Sequence, residues 1–115
     1  ECWQQQERVT AVALFLLSSC SDNIIDRTVQ LYEDAADKAG LVEDIKELHS
    51  MERQFNKEIL KWKRENADEF AELRKKASAG DENIKKQFQQ LEESKRAYRD
   101  AKRVKRNDLR KKLRK

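Results

Sequence analysis

LVEDIKELHSMERQFNKEILKWKRENADEFAELRKKAS, residues 41–78, is the stretch on which the fold turns. Apolar side chains fall at Leu41, Ile45, Leu48, Phe55, Ile59 and Trp62 in steps of three and four, with one step skipped at Glu52. Phe70, Leu73 and Ala77 resume the rhythm. That spacing stacks the apolar groups on one face of an α-helix and leaves the charged residues on the other. One position is out of pattern. Asn66 stands where an apolar residue is due, and Asn66-Ala67-Asp68-Glu69 resembles a capping box with Asn66 as cap and Glu69 reaching back. Either one long helix carries a polar core position or two helices kink there; the shared rhythm on both sides favours one helix.

The two glycines of the chain, Gly40 and Gly80, bracket this stretch, and there is no proline. Before Gly40 a helix is expected over residues 21–39, with Ile25, Val29, Tyr32, Ala36 and Ala39 as its stripe and Ile24, Leu31 and Ala35 widening it. Ser21, Asp22 or Asn23 can cap its start, Asp26 suits its positive end, and Gly40 is a natural stop. After Gly80, Asp81 can cap a third helix whose apolar positions are Ile84, Phe88, Leu91, Tyr98, Ala101, Leu109 and Leu113. Glu82–Lys86 and Glu92–Arg96 are spaced for i, i+4 ion pairs along it. The stripe thins beyond Tyr98, so fraying is expected there. Short loops make neighbouring helices antiparallel. The fold class is therefore all-α: an antiparallel helical hairpin or three-helix bundle with long, coiled-coil-like helices, the first and shorter helix lying along one half of the hairpin. At 115 residues, 42% of them charged, the chain has room for one domain with a thin core.

Charge is divided unevenly. Residues 95–115 hold twelve basic and two acidic side chains, a net of +10, whereas residues 1–94 hold 14 basic and 20 acidic. In the hairpin the basic end runs beside residues 22–52, which carry nine acidic and three basic groups. The tail is thus expected to lie along an acidic wall of its own protein. Lys102, Arg103, Lys105, Arg106, Arg110, Lys111 and Lys112 are the candidate anion-binding residues. They suit anionic headgroups at a membrane surface or, less readily, nucleic-acid phosphates, and no groove-reading motif accompanies them.

The first twenty residues carry a different signal. Val9–Leu17 is a nine-residue apolar run, about 14 Å long as a helix and so about half a hydrocarbon core. It is too short to span a membrane and has the length of a signal-peptide core. Leu17-Ser18-Ser19-Cys20 follows, and then the polar Ser21-Asp22-Asn23. These four residues resemble a lipobox, the leucine, small, small, cysteine pattern of bacterial lipoproteins. The resemblance implies that a diacylglyceryl group is attached to the Cys20 thiol, and that a peptidase cuts before it, where small side chains enter the enzyme. Residues 1–19 are then a signal-like segment and 20–115 a single helical domain, similar in type to small helical lipoproteins of Bacteroides-like bacteria. The stretch before the apolar run departs from the pattern, because Glu1 and Glu7 outweigh Arg8. With no initiator methionine, a gene fragment or a miscalled start is expected.

Other chemistry finds little support. Cys2 and Cys20 define no disulfide framework, and His49 has no companions for a metal site. Glu92-Glu93 and Asp68-Glu69 are adjacent on a helix and diverge by about 100°, so neither pair converges on a substrate. No cofactor motif or catalytic triad is present. Trp62 is expected to pack in the core and His49 to lie at the surface; Trp3 precedes the apolar run. The expected function is that of a non-enzymatic envelope lipoprotein, held to the membrane through the lipid on Cys20, whose helical body is a spacer or binding module for a protein or anionic partner. The alternative is an intracellular coiled-coil protein whose basic helix binds nucleic acid or an acidic partner.

Overall fold

A computed structural model describes residues 23–113; Cys2, Trp3, the apolar run and the lipobox lie outside the described residues. Four helices follow one another: α1 (Ile24–Leu41), α2 (Ile45–Glu65), α3 (Ala67–Ser78) and α4 (Glu82–Leu113). No strand occurs among the described residues, and the chain is an all-α bundle.

Three of the four helix starts have a side-chain cap, all but that of α3. The Asn23 side chain accepts from the Ile25 and Asp26 amides at 2.9 and 3.3 Å. Its amide group also donates to Gln87, which in turn donates to Asp26, both at 2.9 Å. The cap of α1 is therefore clamped to the first turns of α4. Asp44 caps α2 by accepting from the Glu47 amide at 2.7 Å, and Glu47 reaches back to accept from the Glu43 amide at 2.7 Å. These are reciprocal contacts of the capping-box kind. Asp81 does the same for α4, accepting from the Ile84 amide at 3.2 Å. The end of α3 closes with the Gly80 amide on the Ala77 carbonyl and the Asp81 amide on the Lys76 carbonyl. That pair of bonds needs the left-handed conformation that Gly80 adopts, φ 110°.

Contacts along the helices fix the topology. Asn23 meets Gln87, Tyr32 meets Tyr98, and Ala39 and Val42 share a cluster with Leu109, so α1 and α4 run parallel. Phe55 meets Tyr98 and Trp62 meets Thr28, so α2 descends between them. The result is an up-down-up three-helix bundle, 52 × 36 × 23 Å, in which α2 and α3 together make the descending member. The most extensive interface is α1 on α4. The first helix is thus the main partner of the long last helix rather than an accessory to a hairpin.

The core has two parts. Around Tyr32, Phe55 and Tyr98, whose ring centroids lie 4.9 to 6.0 Å apart at tilted or edge-on angles, pack Ile24, Ile25, Ala35, Ile59, Phe70, Leu73 and Leu91. Aromatic edges on faces suit such a trio electrostatically. Ala39, Val42, Leu48 and Leu109 form a second, smaller cluster toward the other end. Leu48 and Phe55 are buried, as the spacing predicts.

Five expectations are corrected. Gly40 does not stop α1, which runs one residue further to Leu41 and ends on extended Val42. Burial of Ala39 and Val42 against Leu48 and Leu109 rewards the extra length, whereas glycine permits a stop without imposing one. The stretch 41–78 is two helices, not one. Asn66 leaves helical geometry at φ −114°, ψ 18°, and its side chain donates to the Trp62 carbonyl at 2.8 Å, a carbonyl that also accepts the Asn66 amide at 3.1 Å. Asparagine competes with the helical ladder in this way, and the foreseen cap bond from its own side chain is not made. Leu41 and Leu113, read as stripe positions, are 79% and 77% exposed, because each falls at a helix end beyond its neighbours. The ion pairs of α4 form at i, i+3, Glu82 with Lys85 and Glu92 with Lys95, each at 3.2 Å, rather than with Lys86 and Arg96. Past Tyr98 the helix continues to Leu113, and Leu109 is buried.

Candidate functional site

The basic half of α4 is where the sequence places its binding residues, and the bundle sorts them by position around the helix. Lys95, Lys102, Lys105 and Arg106 flank the buried edge and are half-buried. Long basic side chains lie along apolar surface in this way while their charges reach outward. Lys102 Nζ lies 3.1 Å from a Glu52 carboxylate oxygen and 4.3 Å from the Tyr98 ring centre. Arg106 donates to both Glu52 oxygens at 3.3 and 3.4 Å. The Glu52 side chain is only 20% exposed, so one shielded carboxylate on α2 is shared by two cations of α4. Glu52 is the skipped position of the apolar rhythm; the gap in the stripe is an electrostatic clamp.

The acidic wall expected beside the tail is narrower than its composition suggests. Among the described residues, both ion pairs that cross from the tail to another helix end on Glu52. Arg103 pairs within its own helix, with Asp100 at 3.2 Å. Arg110, Lys111 and Lys112 are exposed at the end of α4, with Lys112 beside Glu43, Asp44 and Ile45 at the rim of a shallow hollow.

The outward face of α4 holds two predicted residues, Arg103 and Arg110, together with Arg96 and Arg99, which the sequence reading did not include. Arg96, Arg99, Arg103 and Arg110 are all exposed and recur at helical spacing. They share one face and span about 21 Å along the axis at ~1.5 Å per residue. Only Arg103 of the four has a carboxylate partner among the described residues. Spacing alone could have identified Arg96 and Arg99. The i, i+4 spacing pairs Arg96 with Glu92, whereas in the bundle Glu92 pairs with Lys95 and leaves Arg96 open. Of the seven predicted residues, Arg103, Arg110 and Lys111 belong to the open surface, and Lys102 and Arg106 are committed to Glu52.

Other residues singled out fall as follows. Trp62 is half-buried against the core, and its indole N–H donates to the Thr28 hydroxyl at 2.8 Å; that hydroxyl donates to the Ile24 carbonyl at 2.6 Å. Thr28 is fully buried and satisfied through these two bonds. His49 is exposed. Tyr98 Oη is a buried atom with no hydrogen-bond partner, and burial, followed by the nearby Glu52 carboxylate, pushes its phenol up to about 12. Tyr32 is raised as well, chiefly by burial.

No group of histidine, cysteine or carboxylate side chains suited to a metal occurs among the described residues, and no helix there is long and apolar enough to cross a membrane. No family model matches this chain, and no curated protein or solved structure matches it.

Proposed function

We propose that this chain is a non-enzymatic helical module of a bacterial envelope, tethered by a lipid on Cys20 and presenting the arginine face of α4 to an anionic partner. The observation that carries the reading is the split among the tail cations. Glu52 takes Lys102 and Arg106, while Arg96, Arg99, Arg103 and Arg110 stay exposed on one face of a helix packed along its length. A guanidinium fork matches carboxylate and phosphate oxygens in pairs, so a row of arginines suits an anionic surface better than a row of lysines would. The tether is supported by the sequence, where Leu17-Ser18-Ser19-Cys20 ends a nine-residue apolar run and a polar stretch follows.

Growing cells that express the full chain with a tagged fatty acid tests the tether. Label should enter the wild-type protein and be lost in Cys20→Ser. Unlabelled wild-type protein in the soluble fraction would sink this reading. It would favour the second one, an intracellular helical protein whose same four arginines meet nucleic-acid phosphates, and there binding should weaken steeply with salt.

A further inference from the structure

Beside the break at Asn66 lies a cleft of about 200 Å³ where all four helices meet, lined by Thr28 of α1, Lys63 of α2, Ala67, Phe70 and Arg74 of α3, and Leu91 and Lys95 of α4. Its floor is apolar, since Phe70 and Leu91 are buried members of the main core. Its rim is cationic, with one basic residue from each of three helices: Lys63 from α2, Arg74 from α3 and Lys95 from α4. Among the described residues neither Lys63 nor Arg74 has a carboxylate partner; Lys95 pairs with Glu92, which is itself 64% exposed. Arg74 is held in place without a counter-ion, because its guanidinium lies 5.9 and 5.7 Å from the centres of the Phe70 and Phe88 rings. No carboxylate lines the cleft.

An apolar floor flanked by three cationic side chains selects for a ligand with an apolar body and one anionic end. We propose that this cleft binds a small amphipathic carboxylate, with its body against Phe70 and Leu91 and its carboxylate between Arg74, Lys63 and Lys95. This site is separate from the arginine face and does not depend on the tether. Octanoate is the probe and 1-octanol its neutral counterpart. Titrating each into the full chain, with affinity read by calorimetry and position by amide chemical shifts, tests the assignment. Octanoate should saturate with its shifts centred on Thr28, Ala67, Phe70 and Leu91. 1-Octanol should bind about tenfold or more weakly, the loss expected when charge-assisted bonds are forgone. Lys63→Gln with Arg74→Gln should remove most of the preference for octanoate over the alcohol, and adding Lys95→Gln should remove the rest. Ala67→Phe, which fills the cleft and leaves every charge in place, should abolish both. Equal binding of acid and alcohol by the wild type would overturn the proposal, as would shifts that map elsewhere, or octanoate affinity unchanged in the double variant.

Discussion

Glu52→Gln isolates the clamp on the basic helix. The wild-type carboxylate meets Lys102 at 3.1 Å and Arg106 at 3.3 Å, and the three side chains are 20%, 18% and 29% exposed. Fully exposed pairs contribute about 0–1 kcal/mol each. This partly shielded, shared carboxylate lies toward the upper end of that range. A glutamine retains one acceptor oxygen but leaves two cations a turn apart with no anion, so the loss comes to about 1–2 kcal/mol. Because apolar anchoring past Tyr98 rests on Leu109, that loss should appear locally. Hydrogen exchange at residues 100–113 should quicken about 5- to 30-fold, with the aromatic core barely affected. Salt approaching 1 M, where screening acts over about 3 Å, should reproduce part of the effect in wild type and little in the variant. Leu109→Ala is the contrasting change. It should cost about 2–3 kcal/mol and show no salt dependence, because it removes buried apolar contact. Tail protection in Glu52→Gln equal to wild type at low salt would refute the clamp, and an undiminished salt response in the variant would place the tail's electrostatics elsewhere.

The two glycines should respond to alanine with opposite signs. Gly40 lies within α1 and an added Cβ meets nothing within 4 Å, so Gly40→Ala should stabilise by about 0.5–1 kcal/mol. Gly80 sits at φ 110°, so Gly80→Ala should destabilise by about 1 kcal/mol despite equally open space; thermal unfolding of both variants checks the pair, and a shared sign would refute it. Tyr98 is an acid whose folded value is raised to about 12 from 10, so the fold favours its neutral form. That contribution is complete below pH 10 and is lost as pH climbs from 10 through 12. Tyr98→Phe should remove much of this alkaline sensitivity and, by deleting an unpartnered hydroxyl, leave neutral-pH stability unchanged or about 1 kcal/mol higher. A clear loss of stability at neutral pH in denaturant titrations would mean that the hydroxyl has a partner.

Much of the fold was legible because periodicity reports burial directly. Leu48, Phe55, Ile59, Phe70, Leu73, Leu91 and Tyr98 were all placed by spacing and are all buried. What spacing could not resolve was competition between local interactions of similar strength. At Asn66 both a continuous helix and a cap were written in the residue types. The outcome was the kinked alternative, two helices meeting at Asn66, but without the foreseen cap bond, because the side chain turned back to the Trp62 carbonyl. At Gly40 the stop signal was real, but contacts made through Leu109, some seventy residues away in sequence, outweighed it. Thr28 was unreadable for a related reason. A polar residue in an apolar stripe counts against burial unless its partners are known, and its partners, the Trp62 indole and the Ile24 carbonyl, become adjacent only in the folded chain.

The candidate sites lie beside two departures from the apolar pattern. Glu52 interrupts the rhythm of α2 and pairs with Lys102 and Arg106, while burial of Leu91, Tyr98 and Leu109 sets the rotation of α4 about its own axis. Given that rotation, helical spacing leaves no choice about Arg96, Arg99, Arg103 and Arg110: they must face away from α1 and α2. Asn66 interrupts the rhythm again where α2 gives way to α3, and Lys63 and Arg74 on either side of it line the same cleft as Lys95. Had both positions been leucine, the stretch would read as one uninterrupted apolar stripe. The bundle would lack the shielded anion that pairs with its basic helix and the break that separates α2 from α3. In a chain this rich in charge, the polar residues that break the helical rhythm therefore mark where its charged surfaces are built.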